Sequence, residues 1–335
     1  MFRHAKGLAA FVGALAIFVG FQNVAQAQKT VVIRTATLAP SNSKWGEELR
    51  KGAAEVARKT GGKVKIKYYF DGSQGDEGQA VTKMSLGQLD SVAVTTVGLS
   101  KKMRAFRLFD LPGVIKTDGQ LASARYLWQW YQKKMMKKGF QLGPMGKVGP
   151  VKLFSTFPIT SASDIGKCKA WIWPGHKIAS AYGKNLGITN QVRVGVPDVL
   201  RKLRSGDITC LMAPPYALLV LQWHTKVKHM VKYTHYQQIG STFTRVKTLA
   251  KIKPSHLAMM QTVQSKYSAK LWNAISALNK SAMRTISRRI KFHKPSAGLL
   301  AHFTAKAGAT NRAYAKHVGV KRQAALFRLV GYKLP

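Results

Sequence analysis

The sequence predicts an α/β protein of two lobes. Each lobe is a mostly parallel sheet with flanking helices, and a long bracing helix follows near the C-terminus. Three observations carry this. A strand–helix–strand–helix–strand alternation runs from Val31 to Thr96. The same alternation returns about 120 residues later and ends at Ala213. From Pro254, apolar residues then step by three or four as far as Ile286. Alternating strands and helices are the grammar of a parallel sheet covered on its faces. A chain of 335 residues also has the length of two ordinary domains.

The elements follow in order. Val31–Thr37 reads as a buried strand. Trp45, Leu49, Ala53, Val56 and Ala57 recur at helical spacing, and Gly61-Gly62 ends that helix. Val64, Ile66, Tyr68 and Phe70 alternate with Lys63, Lys65 and Lys67, as in a strand with one wet face. Asp71-Gly72 turns the chain. A helix over residues 77–86 and a strand over 91–96 complete the first unit. In the second unit, residues 169–173 read as a strand, 176–185 as a helix and 191–194 as a strand. Pro197 opens a helix where its missing N–H costs nothing. That helix runs to Ser205, and Cys210–Ala213 closes the unit. At about 1.5 Å per residue the helix from Pro254 spans about 45 Å, enough to brace two lobes.

Arg3, His4 and Lys6 precede a short apolar run over residues 8–21, and Ala25-Gln26-Ala27 has the small-x-small form of a cleavage site. This predicts a signal peptide over residues 1–27 and a periplasmic destination. The run falls short of the roughly 20 residues a membrane helix needs. Charge is extreme: 55 Lys and Arg against 12 Asp and Glu, a formal +43. Glu47 and Glu48, Asp76 and Glu77, Asp164 and Asp198 sit near predicted helix starts, where the helix dipole favours a negative charge. The bases are scattered in pairs such as Lys101-Lys102, Lys133-Lys134 and Arg288-Arg289, which reads as a solvated surface rather than a polyanion footprint. Few carboxylates also means little stability lost when they are protonated, so the composition fits low external pH. Cys168 and Cys210 lie near predicted strand starts. In an oxidising compartment they are either a disulfide or two buried thiols.

Enzyme motifs are absent: no G-x-S-x-G, H-E-x-x-H, P-loop or G-x-G-x-x-G is present. His224, His229 and His235 do not fall at ligand spacing. The expectation is a non-enzyme with no cofactor and no metal.

Several segments instead resemble one family. Arg34-Thr35-Ala36-Thr37-Leu38-Ala39-Pro40 followed by Trp45 is similar to the opening strand and loop of the solute receptors of TRAP (tripartite ATP-independent periplasmic) transporters. So are Gly61-Gly62-Lys63-Val64 with Gly72-Ser73-Gln74-Gly75-Asp76-Glu77, and Leu86-Gly87-Gln88-Leu89-Asp90. Asp164-Ile165-Gly166-Lys167-Cys168-Lys169 resembles the family's D-L-K-G-x-K entry into the second lobe. Pro214-Pro215 with Leu221-Gln222-Trp223, and Phe292 with Pro295-Ser296 and Leu299, extend the likeness over nearly the whole mature chain. The resemblance implies a type II-like, two-lobed periplasmic binding protein with crossing strands. It closes on a small molecule and hands it to a membrane permease. Two departures stand out. Thr209 holds the place of an Asp in the second L-x-x-G-x-x-D. Trp171 stands where many members carry an arginine that pairs with a ligand carboxylate.

The lobes expected are residues 28–145 with about 230–262, and 146–229 with about 263–335. The pocket is expected at strand ends: Leu38, Ala39, Ser41 and Trp45; Thr95, Thr96 and Gly98; Phe154 and Ser155; Trp171, Trp173 and Gly175; Pro214, Pro215 and Tyr216. Such a lining favours a flat or apolar ligand. Trp171 offers a stacking face and one N–H, not a bidentate grip on a carboxylate. On that reading Trp171→Ala weakens binding and spares stability. The competing reading packs Trp171 in the lobe core and lets Lys152 or Arg193 hold a carboxylate. The partners expected are a small molecule and TRAP permease subunits, with no specific nucleic acid, and the state expected is a monomer. The alternative function is an exported basic protein that binds polyanions or anionic envelope surfaces.

Overall fold

The computed structural model describes residues 29–333, and the expected signal peptide lies outside them. The strands are β1 (Val31–Thr37), β2 (Val64–Tyr69), β3 (Ser91–Thr95), β4 (Phe140–Leu142), β5 (Gly146–Ser155), β6 (Lys169–Ile172), β7 (Asn190–Arg193), β8 (Cys210–Ala213), β9 (His229–Val231), β10 (Tyr236–Arg245) and β11 (Lys291–His293). Their main order is β2-β1-β3-β10-β5-β8-β6-β7. The outer trios β2-β1-β3 and β8-β6-β7 are parallel, as the alternation predicts. Between them β10 and β5 run antiparallel to each other and to their neighbours. Each is ten residues long and serves both lobes. The first part of β5 pairs with β10 and its last part, Lys152 to Ser155, with β8. These two strands are the covalent crossings between lobes.

The two lobes close their first strand with the same device. In the first, Arg34 N–H donates to Asp90 Oδ2 at 3.0 Å, and Asp90 N–H returns a bond to Arg34 O. In the second, Lys169 N–H donates to Thr209 Oγ1 at 2.9 Å, and Thr209 N–H returns one to Lys169 O. Gly87 and Gly206, both at positive φ, precede these residues and accept from the Arg34 and Lys169 side chains. A glycine is needed there because the left-handed backbone penalises a Cβ. Thr209 therefore does with a hydroxyl what Asp90 does with a carboxylate, which explains that departure from the family pattern.

The helix Pro254–Ile286 is continuous over 33 residues. It packs on the helix Lys44–Lys59, on β5 and on the helix Pro215–Val220, and so touches both lobes. Asn279, buried on its inner face, donates from Nδ2 to Val148 O and accepts the Tyr216 N–H at Oδ1. One buried amide thus ties the brace to a crossing strand and to the second lobe. A polar residue on an apolar stripe is stable here because its partners are supplied.

One expectation about the lobes needs correction. The helix Ala297–Val318 packs on the second-lobe helix Lys177–Asn185, but the last helix, Val320–Val330, packs on Asp118–Ala124. Leu326 and Val330 enter the first lobe's core beside Phe106, Leu121 and Tyr131. The end of the chain therefore belongs with the first lobe, not with the second.

Cys168 and Cys210 are bonded, with Cα atoms 5.5 Å apart. The bond links neighbouring parallel strands β6 and β8 inside a buried cluster. Closing a loop of this length, 42 residues in sequence, restricts the unfolded chain and is worth about 2–5 kcal/mol. Thiol titration of the unfolded, unreduced protein should find no free thiol, and Cys168→Ala/Cys210→Ala should lower unfolding free energy by about that amount. Two reactive thiols before reduction would contradict the bond.

Candidate functional site

Between the lobes lies a cavity of about 320 Å³. The first lobe contributes the loop after β1 (Thr37 to Pro40), one face of the Lys44 helix, and Thr95 at the end of β3. The second contributes Trp171 and Trp173 from β6 and its end, His176, Ala213-Pro214 after β8, and Trp223. Of the pocket residues expected, Leu38, Ala39, Trp45, Thr95, Trp171, Trp173 and Pro214 line this space. The others stand behind it. Ser41 N–H bonds Asp71, Thr96 Oγ1 donates to Asp110, and Gly98 N–H donates to Glu77. Phe154 lies in the second lobe's core, and Ser155 donates to Phe157 O. Gly175 O accepts from Arg107, and Pro215 and Tyr216 belong to a helix.

The lobes touch at specific polar contacts. Trp173 Nε1–H donates to Asp76 Oδ2 at 2.6 Å, and Val196 N–H approaches Asp76 Oδ1 at 3.4 Å. Arg107 Nη2 donates to Gly175 O at 3.0 Å, and Lys44 N–H to the Tyr216 hydroxyl at 2.8 Å. Trp45 meets Tyr216 edge-on at 4.8 Å. Asp76 precedes the helix Glu77–Ser85; its own N–H donates to Gln79 Oε1, and its carboxylate faces the other lobe.

Trp171 does two jobs. It lines the cavity, but it is only 8% exposed. Its Nε1–H donates to Val194 O at 2.8 Å, and its ring packs edge-on against Trp223. The expectation that alanine here spares stability is therefore corrected: the ring is core as well as wall. Lys152 and Arg193 do not reach the cavity. Lys152 Nζ donates to Thr234 Oγ1, and Arg193 bonds Ser180 and Gln191 on the outer surface of the lobe. Of the Lys and Arg among the described residues, Lys147 alone lines the cavity, and its Nζ is committed to Asp118 and Ser276.

Among the lining residues that sequence reasoning missed are three acids. Glu48, Glu77 and Asp110 line the cavity. Glu77 accepts from Thr95 N–H, Thr95 Oγ1 and Gly98 N–H. Burial pushes its carboxyl up to about 8, against the pull of those donors. Asp110 accepts from Thr96 Oγ1 and Arg107; burial raises it and the Arg107 charge opposes that rise. His176 Nδ1 accepts the Ala179 N–H, so Nε2 carries the ring proton, 3.6 Å from Asp110 Oδ2. Burial, with the Arg107 charge, keeps that imidazole neutral well below its ordinary range. Glu77 followed Asp76 at a helix start, where a dipole partner was reason enough for an acid. Its position beside the β3 end was the signal available.

Two crossing strands, a long brace and a closed cleft between α/β lobes define a two-lobed solute-binding protein. The model of the DctP family, bacterial extracellular solute-binding protein family 7, matches residues 35–317, and the chain belongs to that family. The family serves TRAP transporters as binding proteins, not as enzymes. No curated relative matches the chain. Among solved structures, the sugar acid binding protein of Advenella mimigardefordensis in complex with galactonate is 16% identical with a TM-score of 0.84, over 90% of this chain and 98% of that one. A TRAP periplasmic solute-binding protein of Sulfurospirillum deleyianum with bound succinate is 17% identical with a TM-score of 0.82, over 89% and 98%. One from Polaromonas bound to D-erythronate is 17% identical with a TM-score of 0.81, over 88% and 98%. At these identities the likeness shows the fold.

Trp171→Ala should lower unfolding free energy by about 3–5 kcal/mol in urea denaturation; a change within 1 kcal/mol would show that the ring is not core. Glu77 gives a pH test. Its folded pKa lies above the unfolded value, so the native state binds more protons between about 4.5 and about 8. Its stabilising contribution is full below that window and lost as pH rises through it. The stability of wild type relative to Glu77→Gln should therefore fall from pH 4.5 to pH 8. A constant difference would contradict the shift.

Proposed function

We propose that this chain is a periplasmic receptor, exported through residues 1–27, that captures a small organic ligand between its lobes and delivers it to a TRAP-type permease. It acts as a monomer. The ligand has a flat or apolar body and is held without the carboxylate grip usual in the family. The single observation behind this is the composition of the cavity wall. Trp171 stands where the arginine is expected, no arginine among the described residues lines the space, and the lysine that does is tied to Asp118. A carboxylate placed there would lose its hydration and find no guanidinium fork to replace it, since the acids Glu48, Glu77 and Asp110 stand in the wall instead. Trp45, Trp171, Trp173 and Trp223 offer ring faces and edges in its place.

The compared receptors hold galactonate, succinate and D-erythronate. By this reading, succinate and galactonate should fail to reach a Kd of about 1 mM in calorimetric titration, whereas the family's function at micromolar affinity would be about −8 kcal/mol. Micromolar binding of either acid would overturn the reading.

A further inference from the structure

The cavity does not stop at the cleft. It continues beneath the Lys44 helix, where Trp45, Glu48, Leu49, Gly52, Ala53 and Val56 line it. These positions step by three and four and form one helical face. Facing them on the Pro254 helix are Gln264, Tyr267, Ser268 and Leu271, also at helical spacing, and the sheet face between presents Ala93, Thr95, Gly240 and Thr242. Small residues on three sides leave the space open. Gly240 is glycine for a separate reason: a Cβ there would lie 2.7 Å from Val94 O on the paired strand β3.

Glu48 is the one charged group on that helical face. Its neighbour Glu47 does what an exposed first-turn acid does, pairing with Lys44 and Lys51 on the surface. Glu48 points inward, with a side chain 6% exposed. Oε1 pairs with Lys44 Nζ at 2.7 Å. Oε2 is buried and receives no hydrogen bond from any protein group. A buried acceptor left without a donor destabilises the fold, more so when charged. Native structures keep such groups where something else supplies the donor.

We infer that the ligand is elongated, that one end passes beneath the Lys44 helix, and that this end carries an N–H donor, as an ammonium or an amide, which bonds Glu48 Oε2. Trp45, one turn before Glu48 on the same face, supplies an aromatic neighbour suited to either. The inference rests on the reading that the cleft is the ligand site, and it adds the chemistry of one end of the molecule. It makes Glu48 a specificity-determining residue: it rewards a donor and disfavours a carboxylate in the same place, because a carboxylate brings no N–H for Oε2.

The test uses four probes with one phenylalkyl body: 4-phenylbutylamine, 4-phenylbutanamide, 4-phenyl-2-butanone and 4-phenylbutanoate, titrated against the folded mature protein. The amine, the amide or both should bind at least tenfold more tightly than the ketone, and the butanoate should be weakest. Glu48→Leu should bring the donor probes down to the ketone and leave the ketone unchanged. Glu48→Gln is nearly isosteric and serves if the leucine variant does not fold. It keeps a neutral acceptor, so a tenfold loss for the amine alone identifies an ammonium, and an amide that retains its affinity identifies a neutral N–H. Donor probes no better than the ketone, or unaffected by either variant, overturn the inference while the apolar cleft stands. Absence of binding by both donor probes also overturns it. Tightest binding by the butanoate overturns this inference and the proposed function together.

Discussion

The contact on which the closed arrangement depends is the Asp76 carboxylate at the lobe junction. It stands at the start of the Glu77 helix, where the helix dipole favours a negative charge. Its carboxylate takes Trp173 Nε1–H and Val196 N–H from the opposite lobe, while its backbone N–H donates to Gln79 Oε1. The next residue, Glu77, turns the other way and pins Thr95 and Gly98 at the end of β3. Two consecutive acids at one helix start therefore hold both the junction and the cavity wall. Burial raises Asp76, and the Trp173 and Val196 donors oppose that rise. The junction is thus weakened when the carboxylate is protonated, because a neutral acid accepts these bonds less strongly.

That economy extends to the whole chain. Nine of the 12 acids are in ion pairs, and Asp71, Asp76 and Glu77 accept hydrogen bonds. Acids survive in this sequence where a bond requires one. The replacement of a conventional Asp by Thr209, with the same backbone bond kept, shows the same pressure at a site where a hydroxyl suffices. Among the described residues the excess bases lie outside the cavity, so the positive surface and the candidate site are physically separate features.

Much of the fold was legible because it is written in local periodicity. β1 and β8 fall on the residues predicted, and the Pro254 helix begins and ends as its apolar spacing indicates. The crossing strands were not legible from pattern. β5 carries Gly146, Gly149 and Pro150, residues that weaken a strand's local pattern, and is stabilised by pairing with strands distant in sequence. The site was legible by halves. The strand-end rule placed Leu38, Thr95, Trp171 and Trp173 around the cavity, since loops at strand ends face the cleft in such sheets. It could not tell a wall residue from the one behind it, as at Phe154 and Ser155. Nor could it separate Glu47 from Glu48: one residue of helical rotation decides which faces water, and only tertiary packing sets that.

We propose that the cleft of this receptor selects a ligand without a carboxylate grip. The most direct measurement is mass spectrometry of the small molecule released on denaturing protein purified from its native host. That molecule should have a flat or apolar body and no carboxylate on which its binding depends. A dicarboxylate or sugar acid, recovered in amounts matching the protein, would contradict the proposal.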